Sequence, residues 1–201
     1  MKIGLDLDNT LICYDDAFQR VGREEGLLPP SFSGNKVTVK QVLHEERPDG
    51  YSWQRLQGLV YGRRIDAARL FDGVPAFLAE CRDRGHEVVI VSHKTELAHH
   101  DPLRTDLRVA ALRFMEDQGF FALDGLGLAR DGVHFEGTRE GKVKRIAELG
   151  CEVFVDDLVE VLAHPDMPAS CRKILFGEDP DHDFEQYTSW DDVRAALFRR
   201  S

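Results

Sequence analysis

No apolar run in this 201-residue sequence approaches the roughly 18 residues a membrane span requires. A secretion leader is not expected, because Met1 leads directly into a charged segment rather than an apolar stretch. Cysteine is sparse. Cys13, Cys81, Cys151 and Cys171 lie far apart with no C-x-x-C pair, which points to free thiols in a reducing cytosol. An excess of positive charge is missing too. Lys and Arg number 26 against 36 Asp and Glu, and the net charge of −10 argues against general nucleic-acid affinity. Internal repeats and low-complexity segments are absent. What remains is an ordinary composition, 42% hydrophobic and 31% charged, suited to one globular domain with room for an inserted subdomain. A cytoplasmic location is expected.

What is present is an alternation of strand and helix patterns. "KIGLDL", "HEVVIVSH", "CEVFVDD" and "RKILFGE" are nearly unbroken apolar runs, as in strands of a parallel sheet covered on both faces. "GVHFEG" adds a short strand. Amphipathic stretches lie between them: "VPAFLAECRDRG", "LRTDLRVAALRFMEDQG" and "TREGKVKRIAELG". Gly85, Gly119 and Gly150 stand where helix C-caps belong. "GEDPDHDFEQ" reads as an acidic surface segment, and "SWDDVRAALFRR" as a closing helix. The pattern predicts an α/β fold: a Rossmann-like open parallel sheet with right-handed crossovers.

Residues 15–70 break this rhythm with helical patterns and no apolar strand run. They are expected to form a small inserted helical unit, leaving 1–14 and 71–201 as the core. Residues 17–70 carry nine Lys or Arg against six Asp or Glu, a local basic surplus. Such a surface suits an anionic substrate.

Ligands of an open α/β sheet bind beyond the carboxyl ends of its strands. Polar residues cluster at those ends: Asp6 and Asp8 after the first strand, Ser92 after the second, Asp156 and Asp157 after a later one. Asp6 and Asp8, two apart, leave their strand on one side. Like charges that close need neutralising, and strand-end carboxylates can share a hard cation.

These residues, in this order, resemble the haloacid dehalogenase (HAD) superfamily of phosphohydrolases. "DLDNT" matches its first motif, "VIVSH" its second, Lys142 stands for the third and "VFVDD" for the fourth. The resemblance implies that Asp6 is the nucleophile, forming an aspartyl-phosphate, and that Asp8 is the general acid and base. It implies Mg²⁺ held by Asp6, the Asp8 carbonyl and Asp156, with Asp157 as a further candidate. Ser92 would donate to the phosphate and Lys142 would neutralise it. Asn9 and Thr10, which complete the first motif, are expected to contact substrate. In this superfamily an aspartate at the position of Asp8 favours phosphomonoesters over carbon–halogen bonds. The insertion resembles a C1-type cap.

Helical periodicity places Lys142 beside the buried stripe of Val143, Ile146 and Leu149, whereas Lys144 points outward toward Glu148. Asp157 is open to three readings: ligand, support, or N-cap of "LVEVLA". Glu160 is an alternative acid. His93 and Lys94 are expected on the rim of the site as substrate contacts, and Arg63 and Arg64 as substrate-binding groups of the cap. The expected activity is hydrolysis of a small soluble phosphomonoester such as a sugar phosphate or nucleotide. The alternatives are a phosphatase of nucleic-acid ends or phosphoproteins, a phosphotransferase, and a non-catalytic binding protein of this fold. The sequence leaves the oligomeric state open.

Overall fold

A computed structural model describes residues 1–122 and 124–198. Within them the chain divides into two compact units. One comprises Met1–Leu11, Leu70–Lys94 and Gly119–Ser201, and the other Ile12–Arg69 and Thr95–Gln118.

The first unit is built on six strands: β1 (Lys2–Leu5), β4 (Glu87–His93), β5 (Val133–Glu136), β6 (Val153–Asp156), β7 (Arg172–Phe176) and β8 (Glu185–Tyr187). They lie in the order β5-β4-β1-β6-β7-β8, and every neighbouring pair is parallel. This is the open parallel sheet that the apolar runs predict. A further pair, β2 (Ile12–Cys13) and β3 (Arg69–Leu70), forms a separate two-stranded ribbon.

Helices cover both faces. Val89 and Val91 of β4, Phe154 of β6 and Leu175 of β7 pack in one core with Val143 and Ile146 of α6 (Arg139–Leu149) and with α7 (Val159–Leu162). Phe176, the next residue along β7, turns to the other face, as strand alternation demands. There its ring stacks 5.4 Å from Trp190 of α8 (Trp190–Phe198), which also meets Phe77 of α4 (Val74–Asp83) at 4.7 Å. Central β1 admits no bulk at Gly4, where a Cβ would come within 2.5 Å of the Phe154 ring. Gly85, Gly119 and Gly150 all take left-handed φ, between 67° and 74°, and Gly150 closes α6 as a left-handed cap. β8 corrects the reading of "GEDPDHDFEQ". Its last residues form an edge strand of only three half-buried residues, too short and polar to show a strand period.

The second unit contains α1 (Asp15–Glu24), α2 (Lys36–Glu46), α3 (Tyr51–Val60) and α5 (Leu107–Asp117). Its aromatic groups pack inward: Phe18 stacks on Trp53 at 5.1 Å, and Tyr61 meets Tyr14 edge-on at 4.7 Å. Asn35 caps α2 by accepting from the Thr38 N–H at 3.0 Å. The α5 helix begins four residues later than the pattern "LRTDLRVAALRF" suggests. Asp106 caps it, accepting from the Arg108 and Val109 N–H groups at 2.9 Å each.

The segment 95–118 groups with residues 12–69, whereas the sequence reading places it in the core. It is tied there by His100, whose ring Nε2 lies 2.8 Å from Gln54 Oε1 and whose ring sits 4.6 Å from that of Tyr51. The charge reading changes with it. The unit as a whole holds twelve Lys or Arg against thirteen Asp or Glu, so the surplus of residues 17–70 does not extend to the compact body.

All four cysteines are free and buried. Burial pushes the Cys81 and Cys151 thiols up to about 12 and Cys171 to about 11, and Cys13 is raised as well. Thiolate, the reactive form, is therefore scarce at pH 8. Under native conditions a disulfide reagent should label the four thiols at least roughly tenfold more slowly than in denaturant. Rapid native labelling at any position would show a local opening there. No helix among the described residues is long and apolar enough to cross a membrane.

Candidate active site at the strand ends

The carboxyl ends of β1, β4 and β6 place their polar residues in one cluster, entirely within the first unit. Asp6 follows β1 directly and is 4% exposed, its N–H donating to the Val155 carbonyl at 2.9 Å. The chain then turns sharply. Asn9 sits at φ 62°, a left-handed value that Asn tolerates better than most residues, and buried Thr10 returns its hydroxyl to Asp6 Oδ2 at 3.3 Å. The Trp190 indole N–H donates to the Thr10 carbonyl at 2.9 Å, so the closing helix holds this turn from behind.

Lys142 enters from α6. Its helix starts at Thr138, whose hydroxyl accepts from the Gly141 N–H at 3.0 Å. Lys142 is 1% exposed, with Nζ 2.6 Å from Asp6 Oδ1 and 2.7 Å from Asp156 Oδ2. Burial alone would lower the lysine's proton affinity. Asp6 and Asp156 outweigh it and hold the ammonium above the usual lysine range. Lys144 projects outward, 78% exposed and 3.8 Å from Glu148.

Asp156 is fully buried. Its Oδ1 accepts from the Leu158 N–H at 3.0 Å, fixing the turn after β6. Its Oδ2 faces Lys142 as an ion pair without hydrogen-bond geometry, and it has no hydrogen-bond partner among the described residues. Complete burial, with the Asp6 charge nearby, pushes this carboxyl upward despite the lysine.

Asp6, Asp156 and Asp157 each offer a carboxylate oxygen, all within 4.8 Å of one another. Three hard oxygen donors so close together fit a divalent cation such as Mg²⁺. Asp157 is not the N-cap of α7. That place belongs to Leu158, with no side-chain cap. Glu160 lies apart, 61% exposed and 4.0 Å from Arg139.

Ser92, on β4, is 1% exposed, and its hydroxyl also has no partner among the described residues. Buried hydroxyls are seldom left so, and an acceptor brought by a ligand would satisfy it. His93 turns to the other side of β4, its Nε2 3.2 Å from the Gly137 carbonyl.

Lys94 departs from the rim position expected of it. It is 4% exposed, with Nζ 2.5 Å from Asp8 Oδ2. The sequence carries a signal for this: Lys94 stands two residues after Ser92, so strand alternation points both side chains the same way. Asp8 thus has a cation of its own at ion-pair distance.

Arg63 and Arg64 belong to the second unit. Arg64 is held by a close ion pair with Glu24, and Glu25 lies 3.7 Å away. Arg63 lines a cavity of about 370 Å³ with Ile65, Val109 and Phe114. The expectation that both arginines stand ready for substrate does not hold for Arg64.

Solved structures carry the same architecture. A HAD-like hydrolase from Streptococcus pneumoniae superposes with a TM-score of 0.62 at 15% identity, over 98% of each chain. The fold is that of the haloacid dehalogenase superfamily. A HAD-superfamily hydrolase of subfamily IA from Geobacter sulfurreducens is similar at TM-score 0.57 and 14% identity, over 98% of this chain and 96% of that one. A predicted phosphoglycolate phosphatase from Haemophilus somnus is similar at TM-score 0.53 and 14% identity, over 98% and 97%. No family model and no curated protein matches the sequence. In this HAD fold, the strand ends that carry Asp6, Ser92 and Asp156 form one mouth of the sheet.

Proposed function

We propose that this protein is a Mg²⁺-dependent phosphomonoester hydrolase working through an aspartyl-phosphate on Asp6. The observation that carries this reading is the buried set around Asp6: Lys142 at 2.6 Å, Asp156 beyond it, and the unpartnered Ser92 hydroxyl. A HAD-like fold and a neighbour named for phosphoglycolate phosphatase support the reaction class.

In the first half-reaction an Asp6 carboxylate oxygen attacks phosphorus. The phosphorus–leaving-oxygen bond breaks, and the Asp8 carboxylic acid gives that oxygen its proton. In the second, the Asp8 carboxylate takes a proton from water as the water oxygen attacks phosphorus. The Asp6–phosphorus bond breaks, releasing inorganic phosphate and restoring both aspartates. Ser92 donates its hydroxyl proton to a phosphate oxygen, and the Lys142 ammonium neutralises phosphate charge. Asn9 and Thr10 border the phosphate, whereas His93, turned toward Gly137, does not. Asp6, the Asp8 carbonyl, Asp156 and Asp157 would hold the cation, which offsets repulsion between carboxylate and phosphate.

The substrate is a small soluble phosphorylated metabolite, a sugar phosphate or nucleotide, and the setting is the cytoplasm.

Hydrolysis of an aryl phosphate should stop in EDTA, return with Mg²⁺ and remain weak with Ca²⁺, whose larger, looser shell draws carboxylates into bidentate binding. Full turnover in EDTA would remove the metal from the mechanism. A turnover screen across sugar phosphates, nucleotides and phosphopeptides tests the substrate class.

A further inference from the structure

Two lysines enter the cluster at the strand ends. Lys142 from α6 pairs with Asp6 and Asp156, and Lys94 after β4 pairs with Asp8. The proposed mechanism uses the first lysine and leaves the second without a task. We propose that Lys94 is a positioning residue that holds the Asp8 carboxylate in the direction needed for proton exchange with the leaving oxygen and the attacking water. This rests on the reading of Asp8 as general acid and base.

Three observations support it. The contact is short and enclosed: Nζ lies 2.5 Å from Asp8 Oδ2, with the two side chains 3% and 18% exposed. An ion pair so shielded has a restricted geometry, unlike an exposed pair that samples many. Lys94 is also anchored at its base, its N–H donating to the Glu136 carbonyl at 2.9 Å, which extends the β4–β5 pairing one step past the strand. The ammonium therefore approaches Asp8 from a rigid strand end. Finally, Asp8 lies two residues beyond Asp6 after a sharp turn. Fixing Oδ2 fixes the plane of the whole carboxylate, and so the direction of Oδ1. Without Lys94, Asp8 loses the contact that fixes its Oδ2, and its carboxylate can be misplaced. Such a misplacement would cost rate far more than binding.

The distinction to test is between holding Asp8 and holding substrate. Lys94→Met and Asp8→Asn, singly and together, should be assayed with an alkyl phosphate, whose leaving oxygen needs a proton, and an activated aryl phosphate, whose leaving oxygen does not. Positioning predicts that Lys94→Met lowers kcat for the alkyl phosphate by roughly 10²-fold, changes KM less than about threefold, and affects the aryl phosphate much less. Positioning also predicts that the double variant is no slower than Asp8→Asn alone, because both changes remove one function. Lys94→Arg, which keeps a cation on Asp8, should recover part of the loss.

A KM rise of similar size for both substrates, with additive losses in the double variant, would overturn the proposal and make Lys94 a phosphate ligand. The underlying reading fails differently: Asp8→Asn itself would then show no dependence on the leaving group. Should Lys94→Met fold poorly, the pairing remains measurable without turnover. Asp8→Asn added to it should raise the unfolding temperature again, since the carboxylate that lost this cation is then gone. An additive fall in unfolding temperature would count against the pair.

Discussion

The Asp6→Asn protein is expected to lose turnover by at least roughly 10⁴-fold and to form no phosphoenzyme, yet to fold as well as the parent. The two halves of this expectation have one cause. Asp6 and Asp156 flank a single ammonium, at 2.6 and 2.7 Å from Lys142. Two carboxylates sharing one buried cation repel each other, and the proton affinity of Asp156 is raised by burial first and then by Asp6. Asn at position 6 leaves a one-to-one pair of Lys142 and Asp156 and can still accept the Thr10 hydroxyl. The apo unfolding temperature should stay level or rise, as is common where an active site trades stability for chemistry. Mg²⁺ should stabilise this variant less than the parent, because one ligand oxygen has lost its charge. The checks are acid-quench labelling of the phosphoenzyme and thermal unfolding with and without Mg²⁺. Near-parental turnover from a pure Asp6→Asn preparation would end the nucleophile assignment.

Lys142→Met should be the opposite case, damaging fold and activity together. Removing one partner of a buried ion pair typically costs about 3–5 kcal/mol, and here two carboxylates lose their cation at once. The loss of one phosphate-stabilising charge should add a fall of roughly 10²–10³-fold in kcat. Mg²⁺ should restore part of the stability by returning positive charge to the same carboxylates, without restoring the rate. Lys144→Ala is the control. Its exposed pair with Glu148 at 3.8 Å is worth well under about 1 kcal/mol, so both stability and turnover should stay near the parent. Equal small losses at the two positions would mean that another group neutralises the phosphate.

Much of this was legible in the chain because the signals are local. Apolar runs bounded by glycine announce β1, β4, β6 and β7, since a strand covered on both faces has no place for polar alternation. Asp6, Asp8, Ser92 and Asp156 announce themselves by ending such runs. Lys142 is legible by helical period, which sets it against the buried stripe while Lys144 faces outward.

The remainder depended on which distant residues meet. The edge strand β8 has no apolar period, and its place comes from β7 offering an open edge. The grouping of residues 95–118 with the inserted segment follows from contacts between distant residues, such as His100 with Gln54 and Tyr51, which no composition reports. With that helix counted, the local excess of basic residues vanishes. Arg64 reads as available in sequence, but Glu24, forty positions away, occupies it. Lys94 stands furthest from its sequence reading. An exposed and a buried lysine look alike in one dimension, and only the fold brings Asp8, 86 residues earlier, to its ammonium. Sequence by itself determined five of the six strands, the acids at their ends and which lysine of α6 borders the buried face, because each is written in local periodicity. Tertiary structure alone decided how the charges pair, because an ion pair is set by distance in space and by the solvent excluded around it.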